Sequence, residues 1–172
     1  MVDAGIIDGR ERFELIGGEV VPMSPKGVPH ETVKMELSRF WSKAVPPEVN
    51  VLTETTLYTS EHDFLEPDFI FWPRAVPLKD LRPADILLLV EVADTSLAYD
   101  LGRKAGLYAA LGIADYWAID VRTLVTHIHR SSGPDGYADR VLAPHTDRLV
   151  PERLPGLAVS LAKIGLTPIT GG

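Results

Sequence analysis

Asp68 and Glu91 are the residues of this chain best placed to do chemistry. Each lies in a short apolar run of strand type, Leu65-Glu66-Pro67-Asp68-Phe69-Ile70-Phe71 and Ile86-Leu87-Leu88-Leu89-Val90-Glu91-Val92. A strand alternates its side chains between two faces. Glu66, Asp68 and Ile70 therefore share one face, as do Leu87, Leu89 and Glu91. If the two strands are neighbours, ionised carboxylates ~4 Å apart repel by roughly 4 kcal/mol at an effective dielectric of ~20. Either one of them keeps a proton or a cation fills the gap. Oxygen donors without sulfur favour Mg²⁺ or Mn²⁺. The same spacing also fits two solvated acids at strand ends that share no ligand.

Lys104 is the cation that geometry allows beside this pair. Glu91 lies three residues before Asp94, near the end of its strand, or ~10 Å back along it. A helix that starts near Ser96 and returns antiparallel brings Lys104 ~12 Å back. Acid and ammonium then come level, where the ammonium can serve a metal-bearing site. The competing reading is an Asp100–Lys104 pair at i, i+4 on an exposed helix face, contributing only ~0.3 kcal/mol.

The elements that must position these groups follow from patterning. Phe13-Glu14-Leu15-Ile16, Gly17-Gly18 and Glu19-Val20-Val21 read as a hairpin, ended by Pro22-Met23-Ser24-Pro25. From His30, the residues Val33, Leu37, Phe40, Trp41 and Ala44 fall at helical spacing, and Pro46-Pro47 stops the helix. Val49 to Thr59 reads as one strand and Leu65 to Trp72 as the next. Pro67 should bend the latter and turn Asp68 away from regular pairing. The proline-rich stretch 73–85 is a loop. Ile86 to Val92 is a strand buried on both faces, and Ser96 to Leu111 is a helix closed by Gly112. Tyr116 to Ile119 and Leu124 to His129 are strands. Ser131 to Gly136 is a turn, and a short strand follows near Ala138 to Leu142. The apolar tail Leu154 to Ile164 should dock on the core. This order predicts a mixed α/β (α+β) sheet flanked by helices, with an N-terminal β-hairpin, in one domain spanning 1–172.

Composition narrows the class. With 172 residues and 45% apolar content the chain can bury a core. Its longest aliphatic run, Ile86 to Val90, is far short of the ~20 residues that span a bilayer. The polar start, with Asp3, Asp8, Arg10 and Glu11, does not resemble a signal peptide. There is no cysteine, which excludes disulfides and thiolate metal sites and makes a cytoplasmic setting the expectation. A net charge of −7 speaks against holding nucleic acid by bulk charge, though not against a local basic groove.

Other candidates are weaker. His127 and His129 share a strand face at zinc-binding spacing but lack a third ligand nearby in sequence. His62-Asp63 reads as loop. Gly102, Gly106 and Gly112 do not follow a strand as a phosphate-binding loop requires. Ser24 and Ser96 have no histidine partner in sequence. Trp41, Trp72 and Trp117 read as core, and Phe71-Trp72 is also a candidate dimer surface.

Taken in order, these segments resemble the Uma-two family, endonucleases of the PD-(D/E)xK, restriction-endonuclease-like superfamily. The likeness runs through Phe13-Glu14-Leu15-Ile16-Gly17-Gly18-Glu19-Val20, Met23-Ser24-Pro25, His30, Glu66-Pro67-Asp68-Phe69 and Leu89-Val90-Glu91-Val92-Ala93. It continues through the stretch from Asp100 to Tyr108, then that from Gly112 to Asp120, and Leu154-Pro155-Gly156-Leu157. The resemblance implies hydrolysis of a nucleic-acid phosphodiester, DNA foremost, by a Mg²⁺ (or Mn²⁺) enzyme that pairs as a homodimer to cut duplexes. It implies Asp68 and Glu91 as metal ligands with the Val92 carbonyl as a third, and Glu14 and His30 as supporting residues. The superfamily lysine two places after the second acid is Ala93 here, and the resemblance implies Lys104 as that lysine, moved from strand to helix. The chain departs from the family at Ala93-Asp94-Thr95-Ser96, where serine-proline is usual, so that loop's shape does not carry over and Asp94 becomes a further nearby acid. The alternative is a catalytically silent interaction or scaffold module that keeps the nuclease fold.

Overall fold

The computed structural model describes residues 12–169; the polar N-terminal stretch discussed above lies outside them. The hairpin forms as expected from β1 (Phe13–Ile16) and β2 (Glu19–Pro22). Gly17 and Gly18 take φ of 60° and 76°, the pair of positive values that a tight two-residue hairpin turn needs. Asp63 accepts the Gly18 N–H at 3.0 Å, so the His62-Asp63 loop braces this turn. Helix α1 (Val28–Ala44) follows, with Pro29 in its first turn, and buries His30, Val33, Leu37 and Trp41.

Two expected strands each split. The Val49–Thr59 stretch breaks at Glu54, whose φ of 52° no extended strand tolerates. It leaves β3 (Val49–Thr53) and β4 (Leu57–Tyr58) in different sheets. The Leu65–Trp72 stretch breaks at Glu66-Pro67-Asp68 into β5 (Phe64–Leu65) and β6 (Phe69–Pro73). The bend expected of Pro67 is thus a passage from one sheet to the other. After two short 3₁₀ turns, β7 (Leu88–Ala93) is buried at all six residues.

The helix expected over 96–111 is observed in three pieces: α2 (Leu97–Tyr99), a π turn (Asp100–Lys104) and α3 (Ala105–Ala110). Gly112, at φ 80°, ends it. Then come β8 (Asp115–Asp120), β9 (Thr126–Gly133) and β10 (Gly136–Ala143). The expected start of β9 at Leu124 is wrong, because Leu124 sits in the turn at φ 55°. The expected turn over 131–136 shrinks to Pro134-Asp135, since Ser131 to Gly133 stay in β9.

The six-stranded sheet runs β10-β9-β8-β7-β6-β3 and the small one β2-β1-β5-β4. Among the described residues only β7 and β8 pair in parallel; the other pairs are antiparallel. The parallel pair needs a crossover, supplied by the α2–π–α3 segment. One face of the large sheet packs on α1 and the C-terminal tail through Trp41, Phe69, Phe71, Val90, Trp117, Leu157 and Leu161. The other packs on α3 and the small sheet through Ile16, Leu65, Ile70, Leu89, Tyr108 and Tyr116. All three tryptophans are buried, and each indole N–H finds an acceptor. With Phe71 and Trp72 in these cores, they cannot form the dimer surface considered above. No helix among the described residues is long and apolar enough to cross a membrane.

Candidate active site

The passage between the sheets puts Asp68 where two layers meet. In β6–β7 the last pair is Phe69 with Val90, so one step further Asp68 stands opposite Glu91. The Asp68 N–H reaches Glu91 Oε2 at 3.4 Å, and the Val92 N–H donates to Asp68 Oδ2 at 2.8 Å. The role the fold displays for Val92 is thus to clamp the aspartate. From α1, His30 Nε2 lies 3.1 Å from Asp68 Oδ1, and Lys26 Nζ lies 2.8 Å from the same oxygen.

Lys104 comes from the π turn. Its Nζ lies 3.0 Å from Glu91 Oε1, 2.8 Å from Glu14 Oε1 and 3.9 Å from Asp100 Oδ1. The exposed Asp100–Lys104 pair is therefore ruled out, since both residues are buried. A π turn inserts one residue into the helix, and such bulges concentrate at functional sites. Here it lies on the buried side, with Lys104 against the acids. Glu14 is delivered by β1, which buries it and Ile16 on one face, and Glu14 Oε1 also accepts the Glu66 N–H at 3.1 Å. Tyr108 donates its hydroxyl to Glu91 Oε1 at 2.7 Å.

These groups border a cavity of about 260 Å³ whose walls include Glu14, Lys26, His30, Asp68, Glu91 and Lys104. Asp94, Ser96 and Asp100 also line it, so the non-family loop does add an acid there. Ser96 donates to Asp100 at 2.6 Å, an i, i+4 contact across the start of the helical segment.

The electrostatics are unbalanced. Four buried carboxylates, Glu14, Asp68, Glu91 and Asp100, face two ammonium groups, Lys26 and Lys104. Burial opposes ionisation of Asp68, but the His30 and Lys26 contacts outweigh it and hold its carboxyl well below the usual range. Burial pushes Glu91 up to about 8, against the pull of Lys104 and with the repulsion of Asp68 and Asp100. Asp100 rises to about 6 for the same reason, burial, against Lys104 and its Ser96 hydrogen bond. Lys104 is raised: burial disfavours its charge, but Glu91, Glu14 and Asp100 overcome it. Of the two ways to relieve the repulsion between Asp68 and Glu91, the side chains alone favour the first, pushing Asp68 toward its charged form and Glu91 toward its protonated one.

The donor set suits a hard divalent cation: all carboxylate oxygens, no sulfur, and an excess of buried acid over buried base that such a charge would cancel. Among the described residues, no group of three or more His, Asp or Glu stands at metal-ligand spacing. A cation here would rest on Asp68 and Glu91 and complete its shell from backbone and solvent. The two strand histidines do not make a rival centre. His129 is buried and stacked on Tyr116 at 5.3 Å between ring centroids, and among the described residues no third ligand joins the pair.

Sequence reading found Asp68, Glu91, Lys104, Glu14 and His30, and the fold brings all five together. It missed Lys26, Asp100 and Tyr108 as members of the cluster. Asp100 and Tyr108 lie four residues before and after Lys104, so a helical face through Lys104 was a usable signal. Lys26 sits in an irregular loop, and no periodicity points to it.

A solved structure with this fold is the "Crystal structure of a putative nuclease belonging to DUF820 from Anabaena variabilis ATCC 29413", at TM-score 0.71 and 13% identity over 94% of each chain. No curated protein matches this chain. The family described as "Uma2: Putative restriction endonuclease" matches residues 6–162, nearly the whole chain. Together with two carboxylates that meet where β6 joins β7, a hairpin glutamate and a helix lysine in one buried cleft, this match settles the lineage: the chain belongs to the Uma2 family of restriction-endonuclease-like proteins.

Proposed function

We propose that this chain hydrolyses phosphodiester bonds of nucleic acid, DNA foremost, with Mg²⁺ as its ion and Mn²⁺ as a substitute. The observation that carries the reading is the convergence of Asp68, Glu91 and Lys104 on one cavity. Asp68 and Glu91 would hold the ion, with the Val92 carbonyl as a further ligand. When bound, a divalent ion supplies Lewis acidity toward water and toward a nonbridging phosphate oxygen.

The chain's own residues do the rest. His30 and the Val92 N–H keep the Asp68 carboxylate ionised and aimed. Tyr108 and Lys104 hold Glu91 Oε1, and the Asp68 N–H reaches Oε2, which fixes the carboxylate at the cavity wall. Glu14 anchors the Lys104 ammonium. Because its neighbours favour the charged form, Lys104 acts as a fixed positive charge that orients water and stabilises the phosphorane, and not as a neutral amine base. Cutting both strands of a duplex calls for two such sites, which a cytoplasmic homodimer would provide.

The alternative is a silent module that keeps the nuclease fold. It draws on the ammonium groups of Lys26 and Lys104, which already pair with both acids. Incubation of wild type and Asp68→Ala with plasmid, single-stranded DNA and RNA separates the two, run with Mg²⁺, with Mn²⁺ and with chelator. The nuclease reading expects cleavage by wild type in the presence of metal and none by the variant. Metal binding by titration without cleavage of any of the three favours the silent module.

A further inference from the structure

Outside the acid cleft, one carboxylate gathers an unusual share of positive charge. Glu54 Oε1 is approached by Arg12 Nη1 at 3.3 Å, by Lys34 Nζ at 2.9 Å and by Lys26 Nζ in a short contact. The three cations come from different elements: the residue before β1, α1, and the loop between β2 and α1. Arg12 also holds Glu66 at 2.7 Å, and Lys34 reaches Glu31 at 3.5 Å. Burial works against ionisation of Glu54, yet Lys26 and Lys34 hold its carboxyl down at about 2.

Two features set this cluster apart from an ordinary surface ion pair. First, Glu54 sits at φ 52°, a left-handed conformation uncommon for glutamate and strained for a residue with a Cβ. Second, it adjoins the acid cleft. The Glu54 N–H donates to the Asp68 carbonyl at 3.3 Å, and Lys26 Nζ touches both the Glu54 and the Asp68 carboxylates. The two acids are thus no farther apart than two hydrogen bonds laid end to end. Three converging donors with a single acceptor oxygen are what a phosphate oxygen would meet.

We propose that Arg12, Lys26 and Lys34 form a contact site for a backbone phosphate of the nucleic acid flanking the scissile bond, and that Glu54 is an internal stand-in which the phosphate displaces. This inference rests on the nuclease reading above. It assigns a local basic site to a chain whose net charge is −7. It also makes affinity conditional, since substrate must compete with a tethered anion.

The test uses the full chain with a fluorescent duplex DNA and a single-stranded oligonucleotide. Binding anisotropy is measured across salt in chelator, and metal-dependent cleavage of the same probes is measured separately. Glu54→Gln removes the competing charge. Glu54→Gly also removes it and suits the positive φ, so it guards against a misfolded Gln variant. Either should tighten binding about threefold to tenfold. Lys34→Ala and Arg12→Ala should each weaken it and lower the salt slope by ~1, a readout that a purely structural ion pair would not move. Wild type that cleaves while all four variants bind with unchanged affinity and slope overturns this inference and leaves the nuclease reading standing. The expected binding changes without cleavage by any form support the phosphate site and overturn the nuclease reading. Absence of binding by wild type and by both Glu54 variants overturns the site.

Discussion

Asp68 and Asp115 invite comparison, since both are buried aspartates, one immediately before β6 and the other opening β8. Asp115 opens β8 and is fully satisfied. It accepts the Trp117 indole N–H at 2.9 Å, Arg130 Nε at 3.2 Å and the Glu152 N–H at 2.8 Å. Its one cation also bonds the Val150 carbonyl at 2.6 Å, tying the tail to the sheet. Asp68 likewise accepts a backbone N–H and touches a basic side chain. What differs is the company. Asp115 has one charge answered by one charge and lines no part of the acid cavity, whereas Asp68 shares that cavity with five further carboxylates, Glu14, Glu66, Glu91, Asp94 and Asp100. Burial of a charge therefore marks a structural tie when the charges balance, and a binding site when they do not and a cavity opens onto the surplus.

The largest expected effect lies at the surplus. Asp68→Ala and Glu91→Ala should abolish metal-dependent cleavage in a plasmid assay while circular dichroism stays native. Cleavage that survives either change would break the comparison at its root. Lys104→Ala should slow single-turnover cleavage by at least ~10²-fold, the scale of a positioned charge-stabilising group. A rate equal to wild type would remove the lysine from the mechanism.

Asp115→Ala should do the reverse. It should cost about 1–3 kcal/mol of stability in denaturant titration by leaving the Trp117 indole and Glu152 N–H without their acceptor and Arg130 without its partner, yet leave the cleavage rate of the folded protein near wild type. A selective loss of activity at unchanged stability would erase the distinction between the two aspartates.

A pH titration sharpens the contrast further. Glu91 rises from 4.5 to about 8 in the folded protein, so the native state binds its proton more tightly than the unfolded chain does. Its contribution to stability is full below about 4.5 and is lost as pH climbs through about 8. Melting in chelator should show that decline, Glu91→Gln should flatten it, and Mg²⁺ affinity should grow over the same window. Asp68 has the opposite sign, stabilising above 3.8 and losing its contribution as pH falls below that value. The smallest effect should be Tyr108→Phe, which deletes one hydrogen bond to Glu91. Loss of about 1 kcal/mol, read as a several-fold lower metal affinity, is expected.

Much of the fold was legible because periodicity reports burial. The α1 stripe of Val33, Leu37 and Trp41, the all-buried β7 and the Gly17-Gly18 turn each follow from local pattern. The two split strands share one cause. Val49–Thr59 and Leu65–Trp72 look continuous because their residues suit strands throughout, but the chain changes sheets inside each, at Glu54 and at Pro67. Pro67 announced its break by chemistry. Glu54 did not, since glutamate carries no local preference for a positive φ. The π turn was equally silent: one inserted residue alters no composition, yet it helps seat Lys104 among the acids rather than in solvent.

By itself the sequence determined which groups were available, two strand acids and one helix lysine in an acidic chain without sulfur ligands. Side-chain parity and helical rise are local properties, so they could also say which faces those groups share. Only the tertiary structure decided that Lys26, Tyr108 and Asp100 join them, that Glu14 crosses from another sheet, and that Asp68 is pushed toward its charged form while Glu91 is pushed toward its protonated one. Those outcomes depend on distances between elements far apart in the chain and on how much water is excluded between them. No window of sequence carries either quantity.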